Sequence, residues 1–183
     1  MVKYQELIDS FYGTADSELK TLLLEHSRAV ADKALRVCDA HPEFHLDRDF
    51  VEAAAMLHDI GIIRCNAPGI HCHGTEPYIR HGLMGAQMLK DSPLLARVCQ
   101  RHTGAGIRRE EILAQQLPLP LPADDSEPYM PESMEEKLIC YADKFFSKST
   151  PDREKTFEQA CRSLAKFGEE GVERFSEMHQ LFA

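Results

Sequence analysis

From Ser17 to Cys38 the apolar positions Leu19, Leu22, Leu23, Ala29, Val30, Ala34 and Val37 recur at intervals of three and four. That spacing paints one stripe on a helix. A second helix is expected from about Asp49 to Leu57, with Asp47 or Asp49 as its cap, and Gly61 is placed to close or bend it. Further helices are expected at about 79–90, 93–103, 132–148 and 152–168, with a short one at about 170–182. The Asp91-Ser92-Pro93 step divides two of them, because Ser caps a helix and Pro suits its first turn. Two stretches break the pattern. Arg64 to Pro77 is rich in Gly, Pro and His, and Leu117 to Pro131 holds five of the ten prolines and the adjacent Asp124 and Asp125, so both are read as loops. No strand pattern or internal repeat stands out. The expected fold is all-α: a compact single-domain bundle of six to eight helices over residues 1–183. Its core spans about 20–150, and a helical segment at about 152–183 packs on it through Phe157, Ala160, Cys161, Leu164 and Phe167.

Composition adds the class of protein. With 43% hydrophobic and 28% charged residues, the 183-residue chain is an ordinary globular sequence. Its formal net charge of -9, from 21 Lys and Arg against 30 Asp and Glu, speaks against a protein built to grip nucleic-acid phosphates. The expected partner is therefore a phosphorylated small molecule and no nucleic-acid duplex, since bound cations can reverse the local field for such a ligand. No run approaches the roughly 20 apolar residues of a membrane span; the longest pure run is Ala53 to Leu57. Met1 to Tyr12 has no signal-peptide core. A cytoplasmic protein without membrane contact is expected, as a monomer or homodimer, with Phe175 to Phe182 apolar enough to dock on the domain or on a second subunit. Six scattered cysteines without a CxxC pair point to a reduced state.

The chemistry lies in histidines and aspartates on apolar faces. His58 and Asp59 end the stretch Ala53-Ala54-Ala55-Met56-Leu57. A carboxylate following so apolar a helix needs a partner if it is buried. His26 falls on the stripe of Leu19, Leu22, Leu23 and Val30. His81 shares a face with Gly85 and Met88, His102 follows Leu95, Val98 and Cys99, and Asp143 lies between Ile139 and Phe146. One core histidine can be satisfied by a single carbonyl. Several helices each aiming such a group inward are more simply explained by a shared metal centre. Imidazole and carboxylate without thiolate suit Fe, Mn, Co, Ni or Zn, and six ligands exceed what one catalytic ion needs. Two divalent transition-metal ions sharing Asp59 would use all six, with Fe or Mn favoured and Ni, Co or Zn possible.

The ordered set His26, His58-Asp59-Ile60-Gly61 and Asp143 resembles the HD-domain superfamily of metal-dependent phosphohydrolases, His58 to Gly61 matching its HDIG variant. His81, His102 and the stretch Cys140-Tyr141-Ala142-Asp143-Lys144 are similar to the dinuclear subgroup, with the similarity covering about residues 20–150. The resemblance implies that His26, His58, Asp59 and Asp143 bind a first metal and Asp59, His81 and His102 a second. Ile62 stands where the cyclic-dinucleotide phosphodiesterases usually carry Lys, and their GYP signature is missing, so that activity is not expected.

The expected function is hydrolysis of a phosphomonoester or pyrophosphate of a nucleotide or related metabolite by a metal-bridging hydroxide. Asp59 and Lys144 are the expected catalytic residues. Arg80, Arg101 and Arg108 are the candidates for substrate phosphate, with Arg109 beside the last. Two other functions fit the same ligands: a mixed-valence di-iron oxygenase and a non-catalytic nucleotide sensor. Cys65, His71, Cys72 and His73 offer a rival zinc site, but adjacent ligands lack the usual spacing; a mobile lid is the preferred reading of that loop.

Overall fold

The computed structural model describes residues 3–150 and 153–183. It contains nine α-helices among those residues: α1 (Tyr4–Tyr12), α2 (Glu18–Ala40), α3 (Arg48–Leu57), α4 (His81–Met88), α5 (Pro93–Arg101), α6 (Arg109–Ala114), α7 (Met134–Asp143), α8 (Phe157–Leu164) and α9 (Glu169–Phe182). The all-α expectation is met. Local chemistry starts the main helices where the sequence offers caps. The Ser17 and Asp47 side chains accept from Lys20 N and Phe50 N, and Ser133-Glu136 and Thr156-Gln159 form capping boxes. No helix among the described residues is long and apolar enough to cross a membrane.

Four differences from the sequence reading matter for function. Helix α1 was not expected. It buries Ile8 and is tied to α2 by Lys20 Nζ, which reaches Asp9 Oδ1 at 2.8 Å and the Gly13 carbonyl at 2.7 Å. Its Tyr12 hydroxyl donates to the Ile60 carbonyl at 2.9 Å. Helix α6 was also unexpected, and the Arg109 guanidinium at its start holds the proline-rich loop through the carbonyls of Pro122 and Asp124. Helix α7 stops at Asp143 rather than near 148, so the chain turns there and carries Lys148 back toward the interior. The Arg64–Pro77 loop contains a small antiparallel hairpin, β1 (Asn66–Ala67) with β2 (Cys72–His73).

Helix α2 packs against α3 and α7, while α4 lies between α5 and the turn Ile60–Arg64. One apolar cluster takes residues from every helix but α6, including Leu23, Leu57, Leu138 and Phe175, and a smaller one joins Ile112 of α6 to Leu83 and Met84 of α4. Gly61 does more than end a helix. A β-carbon there would strike the His81 carbonyl oxygen and the Gly85 backbone, so α4 lies against this turn backbone to backbone. A β-carbon at Gly82 would likewise strike the Cys99 carbonyl oxygen. Replacing Gly61 by Ala should therefore overpack the contact and lower stability by about 3 kcal/mol, read as a lower urea midpoint. An unchanged midpoint would mean that α4 moves off at no cost.

Candidate metal centre

All six predicted ligands meet in the interior. His26 leaves the middle of α2; His58 caps the C-terminus of α3 and Asp59 follows it; His81 opens α4; His102 caps α5; Asp143 ends α7. None is more than 7% exposed, and His58 and Asp59 are fully enclosed. Placing ligands at helix ends has a local reason. The ring Nδ1 of His58, His81 and His102 lies 2.6, 2.8 and 2.7 Å from the carbonyl oxygens of Ala55, Tyr78 and Cys99, each three residues earlier. A carbonyl can only accept, so each Nδ1 carries a proton, which leaves Nε2 as the atom turned to the centre and available to a metal.

The Nε2 atoms converge on Asp59. Its Oδ2 is 3.2 Å from His26 Nε2 and 3.3 Å from His58 Nε2, while Oδ1 is 3.4 Å from His81 Nε2 and 3.3 Å from His102 Nε2. Asp143 Oδ1 faces His26 and His58 at 3.0 and 3.5 Å. The two carboxylate oxygens of Asp59 thus look into two separate ligand groups, His26-His58-Asp59-Asp143 and Asp59-His81-His102. Neighbouring ligands about an ion with bonds of roughly 2.1 Å stand about 3 Å apart, which is the spacing present here.

Polar groups left over in this centre test whether a metal fits. Both Asp59 oxygens, His58 Nε2 and His26 Nδ1 are buried without a hydrogen bond of acceptable geometry. The His81 and His102 Nε2 atoms face one another at 3.0 Å with both ring protons on the far nitrogens. Two lone pairs at that distance repel unless a cation lies between or beside them. Burial lowers both of these imidazoles, holding His81 down at about 3, with Lys148 acting in the same direction, and His102 below its usual value, with His58 acting in the same direction. Burial works the other way on the acids but is overridden: Lys148 and His58 hold Asp59, and Lys144 and His26 hold Asp143, well below the carboxylate range. Burial opposes charge on His58, yet Asp59 and Asp143 raise it to about 9. The donors present fit divalent metal.

The family model for the HD domain matches residues 23–147. This chain belongs to the HD domain family. The HD chain is 37% identical over 129 residues to a tRNA (cytidine(56)-2'-O)-methyltransferase of Picrophilus torridus, covering 69% of the chain and 32% of that protein. It is 30% identical over 176 residues to the protein of the same name from Thermoplasma volcanium, covering 94% of the chain and 44% of that protein. It is 34% identical over 126 residues to an uncharacterized protein of Methanocaldococcus jannaschii, covering 66% of the chain and 64% of that protein. The HD chain spans less than half the length of the two methyltransferases it matches. No solved structure matches it significantly.

These findings overturn two expectations. The phosphohydrolase reading falls because the relatives with a stated activity are named for methyl transfer to a tRNA cytidine, neither for hydrolysis of a phosphate ester nor for the oxygenase or sensor alternatives. The reading of a phosphorylated small molecule as partner, with no nucleic-acid duplex, falls with it, because the same names specify an RNA. The ligand set of an HD domain reports a metal site and not the reaction served. Net charge failed as a guide because it sums over the whole surface and says nothing of one cleft.

Two of the arginines proposed for substrate are paired with carboxylates, and the third is exposed away from the cleft. Arg80 pairs with Glu76 at 2.5 Å, and Arg101 with Glu132 and Glu136 at 2.8 and 3.3 Å. Arg108 is exposed at the start of α6, its N–H donating to Glu111. None of the three lines the cleft that opens beside Asp143 and His81. Lysines line it instead. Lys144 Nζ sits 2.6 Å from Asp143 Oδ2 and donates to the His102 carbonyl at 3.2 Å. Lys148 Nζ lies 2.5 Å from Asp59 Oδ2 and went unrecognised in the sequence. A continued helix would have turned it away from Asp143; only the chain reversal after Asp143 brings it in. The Cys65–His73 set does not converge. Among the described residues no ligand group includes any of the four, and His71 turns outward to Glu18 at 3.2 Å.

A divalent ion at a free concentration about 100 times its Kd should stabilise the chain by about 2.7 kcal/mol. EDTA should reverse that shift, and Asp59→Asn should be insensitive to both, by calorimetric melting. A wild-type midpoint indifferent to metal would show that the orphaned atoms are satisfied in another way.

Proposed function

We propose that this chain is the metal-binding HD unit of a tRNA-modification enzyme and that RNA is its partner. The observation that carries the reading is the similarity over 94% of the chain to a protein named as a tRNA (cytidine(56)-2'-O)-methyltransferase. That match takes in 44% of the Thermoplasma protein and 32% of the Picrophilus one. The proposal therefore assigns to this chain a metal centre and an RNA contact, and not the methyl-donor site.

Within this reading His26, His58, Asp59 and Asp143 hold one divalent ion, and Asp59, His81 and His102 hold a second, with Asp59 common to both. Two such ions supply concentrated positive charge and Lewis acidity beside the cleft. The chain's own residues do the rest. The carbonyls of Ala55, Tyr78 and Cys99 orient three imidazoles, Lys144 and Lys148 line the approach to Asp143 and Asp59, and the apolar core excludes water from the far side of the ligands.

The test joins stoichiometry to RNA binding. Titration calorimetry with Mn should give two ions per chain, falling to one in His102→Gln and none in Asp59→Ala. A tRNA transcript should bind at least tenfold more tightly than a DNA duplex of equal length at 0.1 M salt, a margin above the sequence-independent phosphate attraction. Equal affinity for the two nucleic acids would remove the RNA half of the proposal, and a stoichiometry of zero would remove the metal half.

A further inference from the structure

A cleft of about 470 Å³ opens beside the metal centre and runs outward between the loop after His102 and helices α8 and α9. Its inner end is closed by His81 and Asp143, which are buried. Three ammonium groups line it: Lys144, Lys148 and Lys155. The first two already face carboxylates of the metal centre. Lys155 is half-buried, and among the described residues its side chain has no carboxylate partner. Burial, together with Lys144, Lys148 and Lys166, pushes its ammonium below the usual lysine value although Asp143 acts in the opposite direction. Like charges gathered in a partly buried space favour an incoming anion.

The rest of the lining is different. Ile107, Phe146 and Leu164 give it apolar walls. At the rim Phe167 is 74% exposed, among the most exposed large hydrophobic side chains described. The sequence reading had placed Phe167 in the packing of the C-terminal segment, and Ala160 and Leu164 of that segment are indeed buried. Phe167 instead ends α8's extension at a short turn, its carbonyl accepting from Gln115 across the cleft at 3.4 Å. The wall is fixed from behind by Arg174, which is buried and donates to the carbonyls of Ala105 and Gly106 at 3.2 and 2.8 Å and pairs with Glu111. Lys148, Lys155, Phe167 and Arg174 all lie outside residues 23–147, so this half of the cleft belongs to the chain rather than to the family match.

Cations inside, an aromatic ring at the mouth and a blind inner end define an occupant. A duplex is too wide for about 470 Å³, and a strand that reaches the buried His81 and Asp143 stops there. We propose that this cleft receives the phosphorylated end of an unpaired RNA strand, its terminal phosphate at Lys155 and its base stacked on Phe167. The inference rests on the RNA half of the proposed function and goes beyond it by naming the part of the RNA that is held. Stacking on an aromatic side chain contributes about 1–3 kcal/mol per base, which corresponds to about 5- to 150-fold in affinity.

The experiment uses the full chain loaded with Mn and fluorescently labelled single-stranded oligoribonucleotides of one sequence, ending in 5'-phosphate, 3'-phosphate or hydroxyl at both ends, read by anisotropy. One of the two phosphorylated oligomers should bind at least tenfold more tightly than the hydroxyl-ended one. Phe167→Ala, a surface change that leaves the core intact, should weaken that oligomer at least fivefold, and Lys155→Ala should abolish the preference for the phosphate. Equal binding of all three oligomers would overturn the proposal, as would affinity in Phe167→Ala equal to wild type. A free mononucleotide binding as tightly as the oligomer would also overturn it, since the strand would then contribute nothing. The tRNA and metal titrations above are independent readouts: tRNA binding that survives both substitutions leaves the proposed function standing while this inference fails.

Discussion

A carboxylate sealed from solvent at the junction of several helices is the constraint on which this molecule turns. Asp59 is fully enclosed, and leaving such a charge without compensation costs several kcal/mol. Lys148 meets one of its oxygens directly at 2.5 Å, and four helices turn imidazoles toward it: α2 delivers His26, α3 delivers His58, and α4 and α5 deliver His81 and His102. Each of those helices must hold its position to within a few tenths of an ångström for the imidazoles to reach. The caps at Ser17 and Asp47, the small residues along α3 and the Lys20 clamp on α1 all serve that placement. Folding and metal binding are in this sense one problem, because the groups that would repel one another in an empty core attract a shared cation.

How much of this was readable in the residues follows from what periodicity can and cannot carry. Helices α2, α3, α5 and α9 came through because each has a long apolar stripe or a plain cap, and the six ligands came through because each interrupts such a stripe with a group that cannot lie there unpaired. Helix α1 was missed because its charged Lys3, Glu6 and Asp9 mask a single deeply buried residue, Ile8. Gly61 was expected to close or bend a helix, and α3 does end just before it; nothing local announces that another helix backbone will also lie against it. Lys148 and Phe167 escaped for a related reason. Both sit just past a helix end, where the direction of the chain depends on tertiary packing rather than on spacing in the sequence.

The charge balance teaches the opposite lesson. A net charge of -9 is a true property of the chain, but many of the acidic side chains are engaged locally: Glu132 and Glu136 with Arg97 and Arg101, Glu111 with Arg174, Glu154 with Lys33 and Arg36. Two more, Asp59 and Asp143, are turned inward among the buried histidines. Lysines 144, 148 and 155 converge on one opening, and what an approaching polyanion meets there is set by that cluster and by any ions held behind it. The sum of charge over the whole chain does not report the charge at one opening.

His81 and His102 project from elements that touch through glycines, with Gly82 against the Cys99 carbonyl and Gly61 against the start of α4. Their Nε2 atoms stand 3.0 Å apart. That separation is set by main chain lying on main chain, where there is no side chain to yield. Whatever these two imidazoles hold, they hold it at a spacing written into the backbone.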